Sequence, residues 1–330
     1  MRFHKTNLSL EQYKSGLNAG DRLILSKAIT LCESQLPEDE LLASLLIEET
    51  LGQSEHSFRI GITGIPGVGK STFIEAFGLY LIQQGHKVAV LSVDPTSSLN
   101  HGSILGDKTR MNELSLNRNA YIRPSPAGKQ LGGIAEKTRE NILLCEAAGF
   151  NVILIETVGV GQSETAVKHL SDFMILLMIS GAGDELQGIK RGLMELADMV
   201  LINKSDGNNL KASKQTKTLI KQALHYFPAN TNQWEIPVET ISSIDQTGID
   251  NVWKLIERYQ KITKANHYFE SNRNKQNLKW FQEGLSNQIL RLFLKDPTLQ
   301  AQKAEIESAI VQETLSVKSG IQQLMQSFKK

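Results

Sequence analysis

Gly64-Ile65-Pro66-Gly67-Val68-Gly69-Lys70-Ser71 fits G-x-x-x-x-G-K-[ST], the phosphate-binding P-loop pattern. Its surroundings are those the pattern requires. Arg59-Ile60-Gly61-Ile62-Thr63 reads as a short buried strand running into the loop. Ser71-Thr72-Phe73-Ile74-Glu75-Ala76-Phe77 reads as a helix running out of it. The glycines let backbone N–H groups close around phosphate oxygens, and the helix N-terminus adds partial positive charge. Gly64 to Ser71 and the following Thr72 are therefore expected to bind nucleotide. Lys70 is expected to reach the β- and γ-phosphates, and the Ser71 hydroxyl to ligate Mg²⁺.

The chain has 330 residues, 36 Lys and Arg against 35 Asp and Glu, and a net charge of +1. No bulk field points to nucleic acid or to an anionic membrane. Hydrophobic content of 40 % and charged content of 22 % make an ordinary globular mixture. The two cysteines, Cys32 and Cys145, lie far apart in helical patterns, which gives neither a disulfide framework nor a metal cluster. They read as buried thiols in a reducing compartment. Met1-Arg2-Phe3-His4-Lys5 lacks the apolar core of a leader, and no stretch approaches 18 apolar residues. The expectation is a cytoplasmic protein with neither nucleic acid nor membrane as partner.

Outward from the P-loop the chain divides into three parts. Residues 1–56 carry apolar residues at helical spacing, punctuated by Pro37-Glu38-Asp39, and are expected to cap the next domain. Residues 57–264 alternate strands and helices, which predicts an α/β P-loop NTPase fold with a mostly parallel sheet flanked by helices. Its strands are expected near 59–63, 87–93, 151–155, 173–179, 199–202 and 236–241, the last at a sheet edge because of Pro237. Residues 265–330 show no strand pattern. Two helices are expected near 269–295 and 299–328, in a segment too small for a core of its own that serves as a dimerisation arm or as a cap on its own subunit.

In open parallel sheets, functional groups gather beyond the carboxyl ends of the strands. Asn203-Lys204-Ser205-Asp206, at such an end, fits N-K-x-D. There the aspartate accepts from the guanine N1 and exocyclic amino groups, which adenine does not offer. Ser242-Ser243 follows the last strand, where GTPases often carry Ser-Ala over the base. Glu156-Thr157-Val158-Gly159 sits where they often carry D-x-x-G, with Glu156 near Mg²⁺ and the Gly159 N–H near the γ-phosphate. Val160 follows instead of a water-orienting glutamine, and Gln162 is displaced by two residues. Hydrolysis is therefore expected to be slow, or to use another group to orient water. Asp94 at the end of the second strand and Asp107 on a loop are two further candidates for Mg²⁺ and its waters.

Together, G-I-P-G-V-G-K-S at 64–71, V-D-P-T-S-S at 93–98, G-D-K-T-R-M at 106–111, E-T-V-G-V-G-Q-S-E at 156–164 and G-D-E-L-Q-G-I-K-R-G at 183–192 resemble the MeaB/ArgK family of P-loop GTPases. The likeness covers roughly residues 58–262. It implies a G-protein chaperone that gates cofactor loading into, and protects or reactivates, an adenosylcobalamin-dependent methylmalonyl-CoA mutase. GTP hydrolysis would be the switch and the C-terminal arm would make a homodimer. By the same resemblance Ser71, Asp94, Asp107 and Glu156 form the Mg²⁺ and hydrolysis shell, with Lys70 beside them. Residues 183–192, with Asp184, Gln187 and Lys190, form a mobile element that transmits nucleotide state to the mutase.

A nickel metallochaperone GTPase commonly carries His-rich tracts or paired Cys/His ligands. This chain has seven scattered histidines and no C-x-x-C. A targeting GTPase would want a Met-rich module and a basic RNA surface. A metabolic kinase would not want N-K-S-D.

Overall fold

The computed structural model describes residues 8–34, 36–52, 57–93, 111–124, 131–157, 163–181, 191–227 and 232–328. Three helices come first: α1 (Leu10–Asn18), α2 (Arg22–Glu33) and α3 (Pro37–Thr50). Local chemistry sets their starts. The Ser9 hydroxyl accepts from the Gln12 N–H while the Gln12 side chain accepts from the Ser9 N–H, a reciprocal cap. Asp21 accepts from the N–H groups of Leu23 and Ile24. Pro37 opens α3 with Glu38, Asp39 and Glu40 in its first turn, where a missing N–H costs nothing and negative charge suits the helix dipole.

Seven strands follow: β1 (Phe58–Gly64), β2 (Val88–Val93), β3 (Ala120–Pro124), β4 (Val152–Thr157), β5 (Phe173–Ile179), β6 (Met199–Asn203) and β7 (Val238–Thr240). Between and after them lie α4 (Lys70–Gln83), α5 (Asn112–Leu116), α6 (Leu131–Ala147), α7 (Ser163–Leu170), α8 (Arg191–Leu196), α9 (Leu210–His225) and α10 (Ile249–Ala265). The strands form one parallel sheet in the order β3-β2-β4-β1-β5-β6-β7. β1 is central, and β1, β2, β4 and β6 are buried along their whole length, as expected of strands with helices on both faces. β7 is at one edge of the sheet and β3 at the other, and the Pro237 carbonyl before β7 accepts from the Val200 N–H. β4 stands between β1 and β2, so the second strand is one place removed from the P-loop strand.

On one face, Phe73 and Phe77 of α4 stack at 5.3 Å and Phe77 meets Trp253 of α10. Phe173, Trp234 and Tyr259 close the same core edge to face. On the other face α7 lies over β1 and β4. The first helices also belong to this unit: α2 and α3 pack on α6.

At the end of the sheet away from the P-loop lies a chain of buried charges. The Arg59 guanidinium is bidentate to Glu146, with Nε and Nη2 at 2.8 and 3.1 Å from the two carboxylate oxygens. Asp172 accepts from the Arg59 N–H and from both Nε and Nη2 of Arg273, at 2.8 and 2.7 Å. Arg273 also donates to the Ser57 carbonyl and lies over the Phe269 ring.

The chain separates into two compact units, to Gln276 and from Asn277 onward, a division that falls within α11 (Tyr268–Lys295). The second unit continues with α12 (Pro297–Val311), capped by Asp296, and α13 (Val317–Phe328). These two helices touch closely at Gly320, where a Cβ would come within 2.8 Å of Ile306. The single helix expected over 299–328 is thus two. Glu313, in the left-handed region at φ 57°, ends the first.

Candidate functional site

The P-loop joins β1 to α4. At its start the backbone presses on the next strand: a Cβ at Gly64 would meet the Leu177 carbonyl oxygen at 2.5 Å. Only glycine fits there. Val68 is fully buried and roots the loop in the core, while Pro66 and Gly67 are exposed and Ile65 half-buried. Gly69 precedes α4 with φ 93° and no side-chain cap. The first amides of α4 are therefore open to an anion. Ser71 is half-buried in that first turn and Thr72 is exposed.

Lys70 is buried. Its ammonium folds back on the loop, donating to the carbonyls of Gly64 at 2.8 Å and Ile65 at 3.3 Å. Burial pulls its pKa below the ordinary lysine value, and the carboxylates of Glu156 and Glu164 push the other way. Glu156 is buried near the end of β4, beside Ile62 of the P-loop strand. The adjoining Thr157 hydroxyl donates to that of Thr63 at 3.0 Å, so the ends of β4 and β1 are tied next to the loop.

β6 brings the second half of the site. Asn203, fully buried, donates through Nδ2 to the Val68 carbonyl at 2.9 Å. Its Oδ1 accepts from the Ser243 N–H at 3.2 Å and hydroxyl at 2.8 Å. One side chain thus clasps the P-loop to the loop after β7. It leaves no room for a side chain at Gly69, where a Cβ would lie 2.7 Å from Nδ2. Lys204 adopts φ 57°, a left-handed conformation uncommon outside glycine, and its ammonium reaches the Gly67 carbonyl at 2.8 Å. Asp206, half-buried, accepts from the Ser242 hydroxyl at 2.8 Å, which fixes the carboxylate's plane. Ser242 in turn accepts from the Asp245 N–H.

The structure thus brings together Gly64 to Thr72, Asn203, Lys204, Asp206, Ser242 and Ser243, with Glu156 on the other flank of Lys70. Asp94, Asp107, Gly159, Asp184, Gln187 and Lys190 lie outside the described residues. Three participants carried no separate signal in the sequence reading. Glu164 appears only as the last letter of a motif, Thr63 only as a strand residue, and the backbone strain at Lys204 not at all.

A P-loop, a base-side N-K-x-D clasped to it, and an acid at the end of the neighbouring strand are the parts of a guanine-nucleotide site. A family model described as "Methylmalonyl Co-A mutase-associated GTPase MeaB" matches residues 25–298. The chain belongs to the MeaB family. Among its relatives, GTPase ArgK of Escherichia coli (strain K12) is 41 % identical over 308 residues, covering 93 % of each chain. The mitochondrial methylmalonic aciduria type A homolog of Mus musculus is 40 % identical, across 97 % of this chain and 80 % of its own length. A crystal structure titled LAO/AO transport system kinase superposes with a TM-score of 0.77 at 34 % identity, covering 97 % of this chain and 98 % of the other. The P-loop and N-K-x-D residues of this MeaB-family chain all fall inside the matched span. Among the described residues no helix is long and apolar enough to cross a membrane.

Proposed function

We propose that this chain binds and hydrolyses GTP with Mg²⁺, and that the GTP/GDP change gates cofactor loading into an adenosylcobalamin-dependent methylmalonyl-CoA mutase or a related acyl-CoA mutase. The observation that carries the reading is the clasp of Asn203 across Val68 and Ser243. It makes the phosphate loop and the base-reading residues one rigid receptor, with Asp206 oriented by Ser242. Family membership and the printed names of the relatives support the mutase as partner.

In this receptor the P-loop amides and the start of α4 bind the β-phosphate, and Lys70 leaves the Gly64 and Ile65 carbonyls for the β/γ oxygens. Asp206 selects guanine. Ser71 and Glu156 offer a hydroxyl and a carboxylate, hard oxygen donors that suit Mg²⁺; Asp94 and Asp107 are assigned to the same shell. Bound there, Mg²⁺ would neutralise charge on the β- and γ-phosphates. Val160 rather than a glutamine directly follows Gly159, so unaided turnover is slow or another group orients the attacking water. Asp184, Gln187 and Lys190 carry nucleotide state to the mutase. The compartment is the cytoplasm.

The C-terminal unit serves a homodimer. Leu278, Phe281, Leu285, Ile289 and Leu292 recur every three or four residues along α11 and are all exposed, an apolar stripe of the kind that seeks a partner helix.

The test measures GTP turnover with and without methylmalonyl-CoA mutase loaded with adenosylcobalamin, for the parent and for Lys190→Ala. The parent is expected to be accelerated by the mutase, and Lys190→Ala to keep its basal GTP affinity while losing that acceleration. A parent that neither binds the mutase nor changes rate with it refutes the chaperone role and leaves the GTPase role standing.

A further inference from the structure

The carboxyl ends of β1 and β4 are joined by side chains where their backbones stop pairing. The parallel register of β1 with β4 ends at Ile62 and Glu156. β1 runs on beside β5 to Gly64 and Leu177, and β4 runs on beside β2 to Val93 and Thr157. The ladder between β1 and β4 is thus the first of the three to stop, at the level where β1 enters the phosphate loop. There the Thr157 hydroxyl donates to the Thr63 hydroxyl at 3.0 Å, and both residues are fully buried. Thr63 shares its face of β1 with Gly61, where a Cβ would come within 2.5 Å of Ser171 Oγ and 2.9 Å of Val167 Cγ1. α7 therefore covers this face. Glu156, one residue before Thr157, points to the opposite face. That is the face on which Leu154 packs in one core with Phe73 and Phe77 of α4, the helix that begins with Lys70 and Ser71. The threonine pair stands behind the site, holding its two walls without lining it. Neither threonine is required by a motif: Thr63 precedes the P-loop pattern, and Thr157 fills an open position of D-x-x-G.

We propose that Thr63 and Thr157 are positioning residues that set the gap between the phosphate loop and Glu156, and so determine how strongly Mg²⁺ tightens guanine-nucleotide binding. This rests on the reading of the site as a Mg²⁺-dependent guanine-nucleotide receptor. Ser71 is on the loop side of that gap and Glu156 on the strand side. The two oxygens assigned to the metal shell are therefore held in register by a bond to which neither contributes. Mg²⁺ demands near-ideal octahedral geometry at about 2.0–2.1 Å, so it tolerates little play between them. Threonine is stiff at χ1, and a hydrogen bond between two such side chains fixes a strand spacing that two apolar groups in loose contact do not. A hydroxyl pair that only stabilised the sheet would, when lost, weaken nucleotide with and without metal alike.

The experiment uses full-length protein stripped of nucleotide. A fluorescent, non-hydrolysable GTP analogue is titrated in EDTA and in Mg²⁺ into the parent, Thr63→Val, Thr157→Val, the double valine variant and Thr157→Ser, and the nucleotide-free proteins are melted. Each single valine leaves one buried hydroxyl unmet and is expected to melt lower. The double variant replaces both partners by groups of the same shape and is expected to melt close to the parent. The quantity read is the ratio of affinities with and without Mg²⁺. It is expected to fall about tenfold in the double variant, the lower end of the loss seen when a group supporting a metal ligand is removed. Thr157→Ser keeps the hydroxyl and is expected to keep the ratio within about threefold of the parent. A folded double variant with the parent's ratio overturns the inference and leaves the GTPase reading intact. Should the double variant not fold, Thr157→Val is read by the same ratio and against the same threshold. A parent that binds no guanine nucleotide, or whose affinity Mg²⁺ does not change, overturns the reading of the site together with the inference.

Discussion

Asn203→Ala tests the clasp. The change deletes three hydrogen bonds, to the Val68 carbonyl and to the N–H and hydroxyl of Ser243. The hydroxyl can turn to another partner. The Val68 carbonyl and the Ser243 N–H cannot, and both belong to buried residues. A buried group left unmet costs about 1–3 kcal/mol, so two cost about 2–6 kcal/mol, with about 3 kcal/mol a central value after local relaxation. The groups separated are the phosphate loop and the base-side loop, so the loss divides between stability and affinity. If about 2 kcal/mol falls on the complex, GDP binds about thirtyfold more weakly. The remaining 1 kcal/mol lowers the unfolding midpoint by only about 1.5 °C for a chain of 330 residues. Asn203→Asp sharpens the test. It keeps an acceptor for Ser243 but sets a carboxylate oxygen against the Val68 carbonyl oxygen. Its GDP affinity is expected to fall below that of Asn203→Ala at neutral pH. It should recover as pH drops toward about 5, because the protonated acid regains a donor and burial raises its pKa. The assays are fluorescent GDP titration from pH 5 to 8 and a thermal melt. GDP binding by Asn203→Ala within twofold of the parent would refute the reasoning.

Asp206→Asn is expected to weaken GTP by about 1–3 kcal/mol or more and to admit xanthosine triphosphate, whose 2-oxo group suits an amide donor; equal GTP affinity in calorimetry sinks the N-K-x-D assignment. Arg273→Met removes both bonds to Asp172, whose side chain is 1 % exposed, and is expected to cost about 3–5 kcal/mol in chemical denaturation. Pairing it with Asp172→Asn should recover part of that loss, and a single-variant cost below about 1 kcal/mol would show that the ion pair does not anchor the start of α11.

The parallel sheet was legible because its central strands are apolar runs bounded by turn residues, and because Lys70 and Asp206 follow two of them. β3 escaped notice: Ala-Tyr-Ile-Arg-Pro is five residues long and ends in a proline and a charge, with no alternation to mark it. It is accepted as a strand only because β2 lies alongside. The break between α12 and α13 escaped for the opposite reason. No glycine or proline stands there, and Glu313 supplies the left-handed turn. In the site, the motif residues could be read from spacing, whereas the partners that orient them could not. The Ser242–Asp206 bond spans 36 residues and the Asn203–Val68 bond 135. The buried pairs of Arg59 with Glu146 and of Arg273 with Asp172 span 87 and 101. Such pairings are set by which strands become neighbours, and composition or local periodicity does not carry that.

The central place of β1 has a consequence for biosynthesis. β1 pairs with β4 and β5 and with no strand between them in sequence, so its two edges are complete only when Ile179 has been made. At about 5–20 residues per second, the nascent chain carries an unpaired apolar strand for about 6–23 s after Gly64 is synthesised. Until then the segment that will cradle phosphate is an open edge, able to pair with any extended chain it meets. Cover for that strand until β4 and β5 are made therefore reduces the chance that the nascent chain pairs wrongly during translation.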